Sequence, residues 1–249
     1  MARKRSASES SARRDISACD KVFEDNASVM MGWADGSPGV DYTINDRLTA
    51  QYHYSELEDI YRQQFVGLLG NQPLGSGVLK ADMRVIDSAD SGAARAGSID
   101  NRALSAMLAY AINNHTFSAG WQRMNGDNSM PYLDGSNPYL VNYVQVNDFA
   151  AAQERSWQLR YDYDFKGIGL DGLTFLTRYV NGDHIKVPGS DVEGKEWERD
   201  SELKYVVQSG TFKDVSLRLR NATYRTNYEK FARDVDETRL IVSYNFSVL

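Results

Sequence analysis

The sequence predicts an all-β protein whose antiparallel strands form the wall of a transmembrane β-barrel. Three observations predict it. Apolar and polar residues alternate with a period of two, the alternating segments are long, and short and long connections follow one another in turn. Alternation alone fits a soluble β-sandwich equally well, because a sandwich strand also has one wet face. The connection lengths and strand lengths favour the barrel.

Taken in order, a short strand precedes Asn45, and strands follow over 48–57 and 60–69; in the latter the assignment of faces is ambiguous. In Gly77 to Asp87, Leu79, Ala81, Met83 and Val85 oppose Lys80, Asp82 and Arg84. Strands are expected over 100–112 and 115–124. The clearest segment is Glu154 to Phe165. There Trp157, Leu159, Tyr161, Tyr163 and Phe165 share one face, and Ser156, Gln158, Arg160, Asp162 and Asp164 the other, a division that a helix would scramble. A strand over 173–182 follows. In Glu196 to Gln208, Trp197, Leu203, Tyr205 and Val207 oppose Glu198, Asp200, Glu202 and Lys204, with Arg199 and Ser201 interrupting the apolar face. Val215 to Tyr224 sets Val215, Leu217 and Leu219 against Ser216, Arg218 and Arg220; Thr238 to Val248 sets Leu240, Val242, Tyr244, Phe246 and Val248 against Arg239, Ser243, Asn245 and Ser247. The total is about ten or eleven strands.

Short connections are expected at Asn45–Arg47, Asn71–Ser76, Asn113–Asn114, Lys166–Asp171 and Gly210–Asp214, and longer ones at 88–98, 127–152, 186–195 and 227–233. Outer-membrane barrels have short turns on one rim and longer loops on the other. Glu58–Asp59 breaks the rule, being short where a long loop is due.

Composition agrees. Fifteen Tyr against five Pro, with a mean hydropathy of −0.51, suits strands having one apolar and one wet face. A net charge of −6 argues against nucleic acid as a partner. The single cysteine, Cys19, excludes an intrachain disulfide and a thiolate metal cluster. No run approaches the roughly 20 apolar residues of a membrane-spanning helix, which leaves a barrel open. Residues 1–24 start basic but carry no apolar stretch of a secretory signal; they read as a disordered segment or one foreign to the barrel that occupies 25–249.

Other motifs have bland explanations. Gly167–Gly172 matches G-x-G-x-x-G, but a strand-like segment follows where dinucleotide binding needs a helix, so a turn is expected. His53, His115 and His184 lack metal-ligand spacing, no nucleophile motif is present, and no cofactor or metal is expected.

LEDIYRQQFVGLL (57–69), MPYLDGSNPYLVNYVQVNDFA (130–150), ERSWQLRYDYDF (154–165), LTFLTRYVNGDHI (173–185), EWERDSELKYVVQSG (196–210), LRLRNATYR (217–225) and DETRLIVSYNF (236–246) resemble, in order and at family spacing, the OprD-family outer-membrane porins. The resemblance covers about residues 25–249. It implies an eighteen-stranded barrel, of which this chain supplies the C-terminal part without roughly the first seven strands. It further implies an outer-membrane location, insertion by the barrel assembly machinery, and passive diffusion of small carboxylate-bearing solutes, amino acids and organic acids, with no enzymatic activity.

By position in those motifs, the resemblance carries a basic ladder lining the pore over to Arg218, Arg220, Arg239 and Lys204, all on the polar parity read above. Guanidinium groups offer a carboxylate planar, bidentate, permanently charged donors. The opposing reading is that these arginines pair with Asp200, Glu202 or Asp162 to stabilise a polar wall. Segment 127–152 resembles the loop that folds into the pore, and Tyr132 and Asp134 become constriction candidates; an external loop turning at Asp134–Gly135 is the alternative. Glu196, Glu198, Asp200 and Glu202 are expected to face the ladder. Two departures stand out: the missing strands would leave open edges in lipid, and the chain ends Tyr244–Leu249 without the terminal Phe of an assembly signal. Two other hypotheses therefore stand beside the porin, a nonfunctional truncated porin fragment and a soluble β-rich binding protein.

Overall fold

The computed structural model describes residues 38–133, 136–228 and 233–244. Eleven strands form a single sheet in strict sequence order, each antiparallel to its neighbours. They are β1 (Gly39–Asn45), β2 (Leu48–Leu57), β3 (Tyr61–Leu74), β4 (Gly77–Asp90), β5 (Asp100–Ile112), β6 (His115–Gly126), β7 (Arg155–Asp164), β8 (Leu173–Lys186), β9 (Glu193–Val206), β10 (Ser216–Thr226) and β11 (Val235–Ser243). Every expected strand is present, although the end of the last one, with Phe246 and Val248, lies outside the described residues. Several run further than the periodicity indicated: β3, β4, β8 and β9 each reach 14 residues, ample for a tilted crossing that needs about ten.

The rims alternate in connection length as far as β7; beyond it the connections 165–172, 187–192, 207–215 and 227–234 are of similar length, so the expected short link at Gly210–Asp214 is part of a longer one. Two-residue turns close β3 to β4 and β5 to β6, where Gly75 and Asn113 take the positive φ (59° and 53°) such turns demand. The G-x-G-x-x-G segment is a turn: a 3-10 helix at Phe165–Ile168 ends on Gly169 at φ 84°, and β8 follows. The anomalous short link between β2 and β3 is roofed by the next loop. Asp59 Oδ1 accepts the Ala93 N–H at 3.0 Å, and its backbone carbonyl accepts the Arg95 N–H at 2.8 Å.

Connection 127–154 lies back across one face of the sheet, which we call the inner face. Its Met130, Tyr139, Leu140 and Ala150 pack with Phe65, Ile86, Ala103 and Met124 from β3 to β6. Its Val144 and Phe149 pack with Val180 of β8. This settles the ambiguous strand: Tyr61, Gln63 and Phe65 point inward under the loop, while Val66 and Leu68 point outward. The outer face exposes Met83, Val85, Leu108, Phe117, Trp121, Trp157, Leu159, Leu217 and Leu219, each more than a third exposed. Such a continuous apolar surface is unfavourable in water and suits hydrocarbon. Aromatic rings gather toward both ends of the outer face. Tyr163 contacts His115 and Phe165 at the turn side, and Trp157, Tyr179 and Trp197 form a row toward the loop side. Ser201, which interrupts the apolar face of β9, is matched across the sheet by Thr177, their hydroxyls 3.0 Å apart.

Candidate functional site

The inner face divides into a covered part and a bare part. From β3 to β8 the loop is fastened by polar side chains that rise from the wall and satisfy its backbone. Gln63 Nε2 donates to the Pro131 carbonyl (2.7 Å), Arg84 Nη1 to that of Tyr139 (2.8 Å), Gln122 Nε2 to that of Phe149 (2.8 Å), and Gln158 Nε2 to that of Val141 (3.0 Å). The Arg84 guanidinium is also 4.4 Å from the centre of the Tyr139 ring and forks onto Asp82, both side chains nearly fully buried.

The carboxylates of β9 take up the far side of the loop. Glu198 accepts the Val146 and Asn147 N–H groups at 2.8 and 2.9 Å. Glu196 accepts from Asn147 Nδ2 and from the hydroxyls of Tyr224 and Tyr228. Asp200 pairs with Arg178 at 2.7 Å. Three of the four acids expected to face the ladder are therefore engaged elsewhere, and only Glu202 meets it. The sequence could not show this, because the residues that engage them come from a loop 50 positions away, from β8, or from Tyr224 and Tyr228 some 30 positions on.

Register places the four ladder residues together. Lys204 stands opposite Arg218, and Arg220 stands between Glu202 and Arg239 on its two neighbours. Arg218 and Arg220 both contact Glu202, and Arg239 Nη2 donates to Glu237 at 2.6 Å. The wall-pairing reading is thus part of the arrangement. Among the described residues, these four cations nevertheless pair with only two carboxylates, so positive charge is in excess on the uncovered strip. The arginine side chains there are a quarter to a half exposed. Arg84, Arg160 and Arg178 are further inner-face cations that the family motifs did not single out; parity alone marks them. Arg160 is held by Asp162 at 2.7 Å. Of the constriction candidates, Tyr132 is on the loop and donates to Asp148 Oδ2 at 2.6 Å, while Asp134 lies outside the described residues, as does the segment 1–24.

Where the loop returns to the wall, Glu154 is 1% exposed. Its Oε2 accepts the Ala151 N–H at 3.0 Å, and its Oε1 has no hydrogen-bond partner among the described residues. A Cβ at Gly182 would come within 2.2 Å of that Oε1, so glycine is needed in β8 to admit the carboxyl group. Burial, with Glu196 adding to it, pushes the Glu154 carboxyl well above the usual range. A carboxyl whose pKa is raised by folding stabilises fully below its unfolded value near 4.5, and the contribution is lost as pH rises toward the folded value. The loop attachment is therefore expected to weaken from about pH 5 upward. Glu154→Gln should flatten that slope, read as denaturation midpoints of the two proteins between pH 5 and 9; parallel slopes would refute it.

Among the described residues no group of His, Cys, Asp and Glu is arranged to hold a metal. The three histidines make local contacts, His53 with Asp41, His115 with Tyr161 and His184 with Asp183.

A meander of long antiparallel strands, apolar and aromatic outside and charged inside, with one loop folded onto the inner wall, defines part of the wall of an outer-membrane β-barrel. The comparisons agree, and the chain belongs to the OprD family of outer membrane porins, whose family model matches residues 2–248. It is 39% identical over 233 residues to Porin D of Pseudomonas aeruginosa, covering 85% of this chain and 53% of that protein. It is 38% identical over 213 residues to the porin-like protein GalP of Pseudomonas putida, covering 85% of this chain and 50% of that one. The chain thus spans about half the length of these curated relatives. Among solved structures, P. aeruginosa OccK10 (OpdN) superposes with a TM-score of 0.82 at 65% identity, over 86% of this chain and 60% of that one. P. aeruginosa OccK5 (OpdH) does so with a TM-score of 0.80 at 61% identity, over 83% and 56%.

Proposed function

We propose that this chain contributes the selective wall of a passive, cofactor-free porin for small carboxylate-bearing solutes, amino acids and organic acids among them. The observation that carries the reading is the uncovered strip where, among the described residues, Lys204, Arg218, Arg220 and Arg239 share only Glu202 and Glu237 as counterions. A carboxylate passing along it exchanges one guanidinium for the next, and several weak sites in file hold a solute without trapping it. Tyr132 and Asp134 are the proposed narrow point. The partners are these solutes, outer-membrane lipid and the barrel assembly machinery, with no nucleic acid and no enzymatic step.

The test is conductance in planar bilayers with chloride replaced by acetate or benzoate. Arg218→Ala with Arg220→Ala is expected to lower the carboxylate-to-potassium permeability ratio by about fivefold per charge removed, the equivalent of about 1 kcal/mol each. An unchanged ratio would count against the proposal.

A second reading, a fragment that forms no pore, is favoured by one observation. Among the described residues, β1 and β11 each have a single neighbour, and an unpaired strand edge is costly in lipid. It predicts no conductance steps at all. A soluble β-rich binding protein is disfavoured by the exposed apolar outer face; it predicts a compact monomer without detergent.

A further inference from the structure

The outer face carries its cations asymmetrically. From β4 to β11, the outward positions beside the short turns hold aromatic and aliphatic residues such as Tyr110, Phe117, Tyr163, Phe175 and Tyr205, with no Lys or Arg. At the loop side the outward positions turn basic. Most of these cations are committed: Arg102 to Asp87 at 2.6 Å, Lys186 to Asp127 at 2.8 Å, and Lys195 beside Glu193 at 3.8 Å.

Arg123 of β6 and Arg155 of β7 differ. They are direct cross-strand partners, which places their Cα atoms about 5 Å apart. Both are exposed, and neither forms an ion pair among the described residues. Asp183, the register neighbour of Arg155 on β8, is occupied by His184 Nδ1. Like charges in direct opposition destabilise a sheet. Beneath this pair, two residues toward the middle of the strands, Trp121 and Trp157 are also direct partners, each nearly half exposed. Above it opens a pocket of about 490 Å³ to which His184, Lys186, Asp191 and Glu193 also contribute.

We propose that Arg123 and Arg155 form an outward-facing site for the phosphate of a phosphorylated glycolipid in the outer leaflet. The two guanidiniums clamp one phosphate through paired N–H donors, while Trp121 and Trp157 lie along the acyl chains just below. The long-loop rim is the extracellular one in such barrels, so the site sits at the level where the outer leaflet carries its phosphorylated sugars. An anion between the two arginines removes their repulsion, which explains why the wall tolerates them side by side. The site lies on the opposite face of the sheet from the proposed solute path and is independent of solute selectivity.

The test uses the full chain refolded in detergent micelles, with three probes: bisphosphorylated lipid A, the same lipid dephosphorylated, and inorganic phosphate. Native mass spectrometry reads retention, and tryptophan fluorescence reads contact at Trp121 and Trp157. The chain is expected to retain lipid A about tenfold or more over the dephosphorylated lipid, consistent with two cations near an anionic surface. The R123Q/R155Q variant should bring the two lipids within about twofold, and R123K/R155K, which keeps the charge but loses the paired donors, should keep only part of the preference. The glutamine pair relieves like-charge opposition, so it should fold at least as readily. Equal retention of both lipids by the unsubstituted chain, or an undiminished preference in R123Q/R155Q, would overturn the proposal. Displacement of lipid A by millimolar inorganic phosphate would overturn it as well, by making the pair a site for free phosphate.

Discussion

Arg84→Ala is expected to lower stability by about 3–5 kcal/mol and to loosen the inward loop. Arg84 and Asp82 are next-but-one neighbours on β4, and both are buried under the loop with side-chain exposures of 4% and 3%. Truncating the arginine strands the Asp82 carboxylate, whose two oxygens accept from Nε and Nη2 of Arg84. It also removes the donor to the Tyr139 carbonyl and the cation over the Tyr139 ring. Urea titration of the refolded protein would read the stability change, and hydrogen exchange at 139–144 would read the loop. Replacing both partners, Arg84→Met with Asp82→Leu, should recover much of the stability, because two buried charges vanish together. The Tyr139 carbonyl would still lack its donor, so protection at the loop should recover less. A single Arg84→Ala that costs under 1 kcal/mol would show that water reaches Asp82.

Phe149→Ala acts at the other end of the same loop. Phe149 is fully buried between Val144 of the loop and Val180 of β8, and its carbonyl accepts from Gln122. Deleting a buried phenyl ring costs about 3–5 kcal/mol where the surroundings cannot collapse into the space. Here the sheet on one side is held by its ladder of hydrogen bonds, so the loop is the part that can move. The expected outcome is a stability loss of that size together with a wider, noisier conductance, as residues 143–149 leave the wall. A full-sized stability loss with unchanged conductance would mean that the loop does not narrow the path. The hydrogen bonds from Val146 and Asn147 to Glu198 would persist in part, so partial protection of those two amides is expected.

The lipid and solute proposals use opposite faces of one sheet, the first on β6 and β7 and the second on β9 to β11. Trp157 and Arg155 point outward from β7, while Gln158 and Arg160 point inward, and a shift of one residue in register would exchange them. The exchange is prevented because the inner set is satisfied by the loop: Gln158 by the Val141 carbonyl and Asn142, Ser156 by Asn142 Nδ2. None of these groups would find a partner in hydrocarbon.

Strand positions and faces were legible locally because a strand exposes its neighbours' chemistry with a period of two, and each of β4, β7, β10 and β11 carries that pattern in its own residues. The hairpin order follows as well, since short turns leave consecutive strands no other place to pair. The four cations proposed as a basic ladder share one parity in the sequence, and the family motifs selected them. What the inner face does with its charges was not legible. Glu196 and Glu198 look identical to Glu202 in the sequence of β9, yet the loop claims the first two and the arginines of β10 claim the third. That division depends on where a connection of nearly thirty residues comes to rest, a long-range contact for which no local period exists. The sequence by itself determined an all-β wall, its strands, its two faces and its family. Only the tertiary structure decided which part of the inner face stays open, because that depends on the loop finding complementary shape, apolar contact and hydrogen-bond partners on strands distant in the chain.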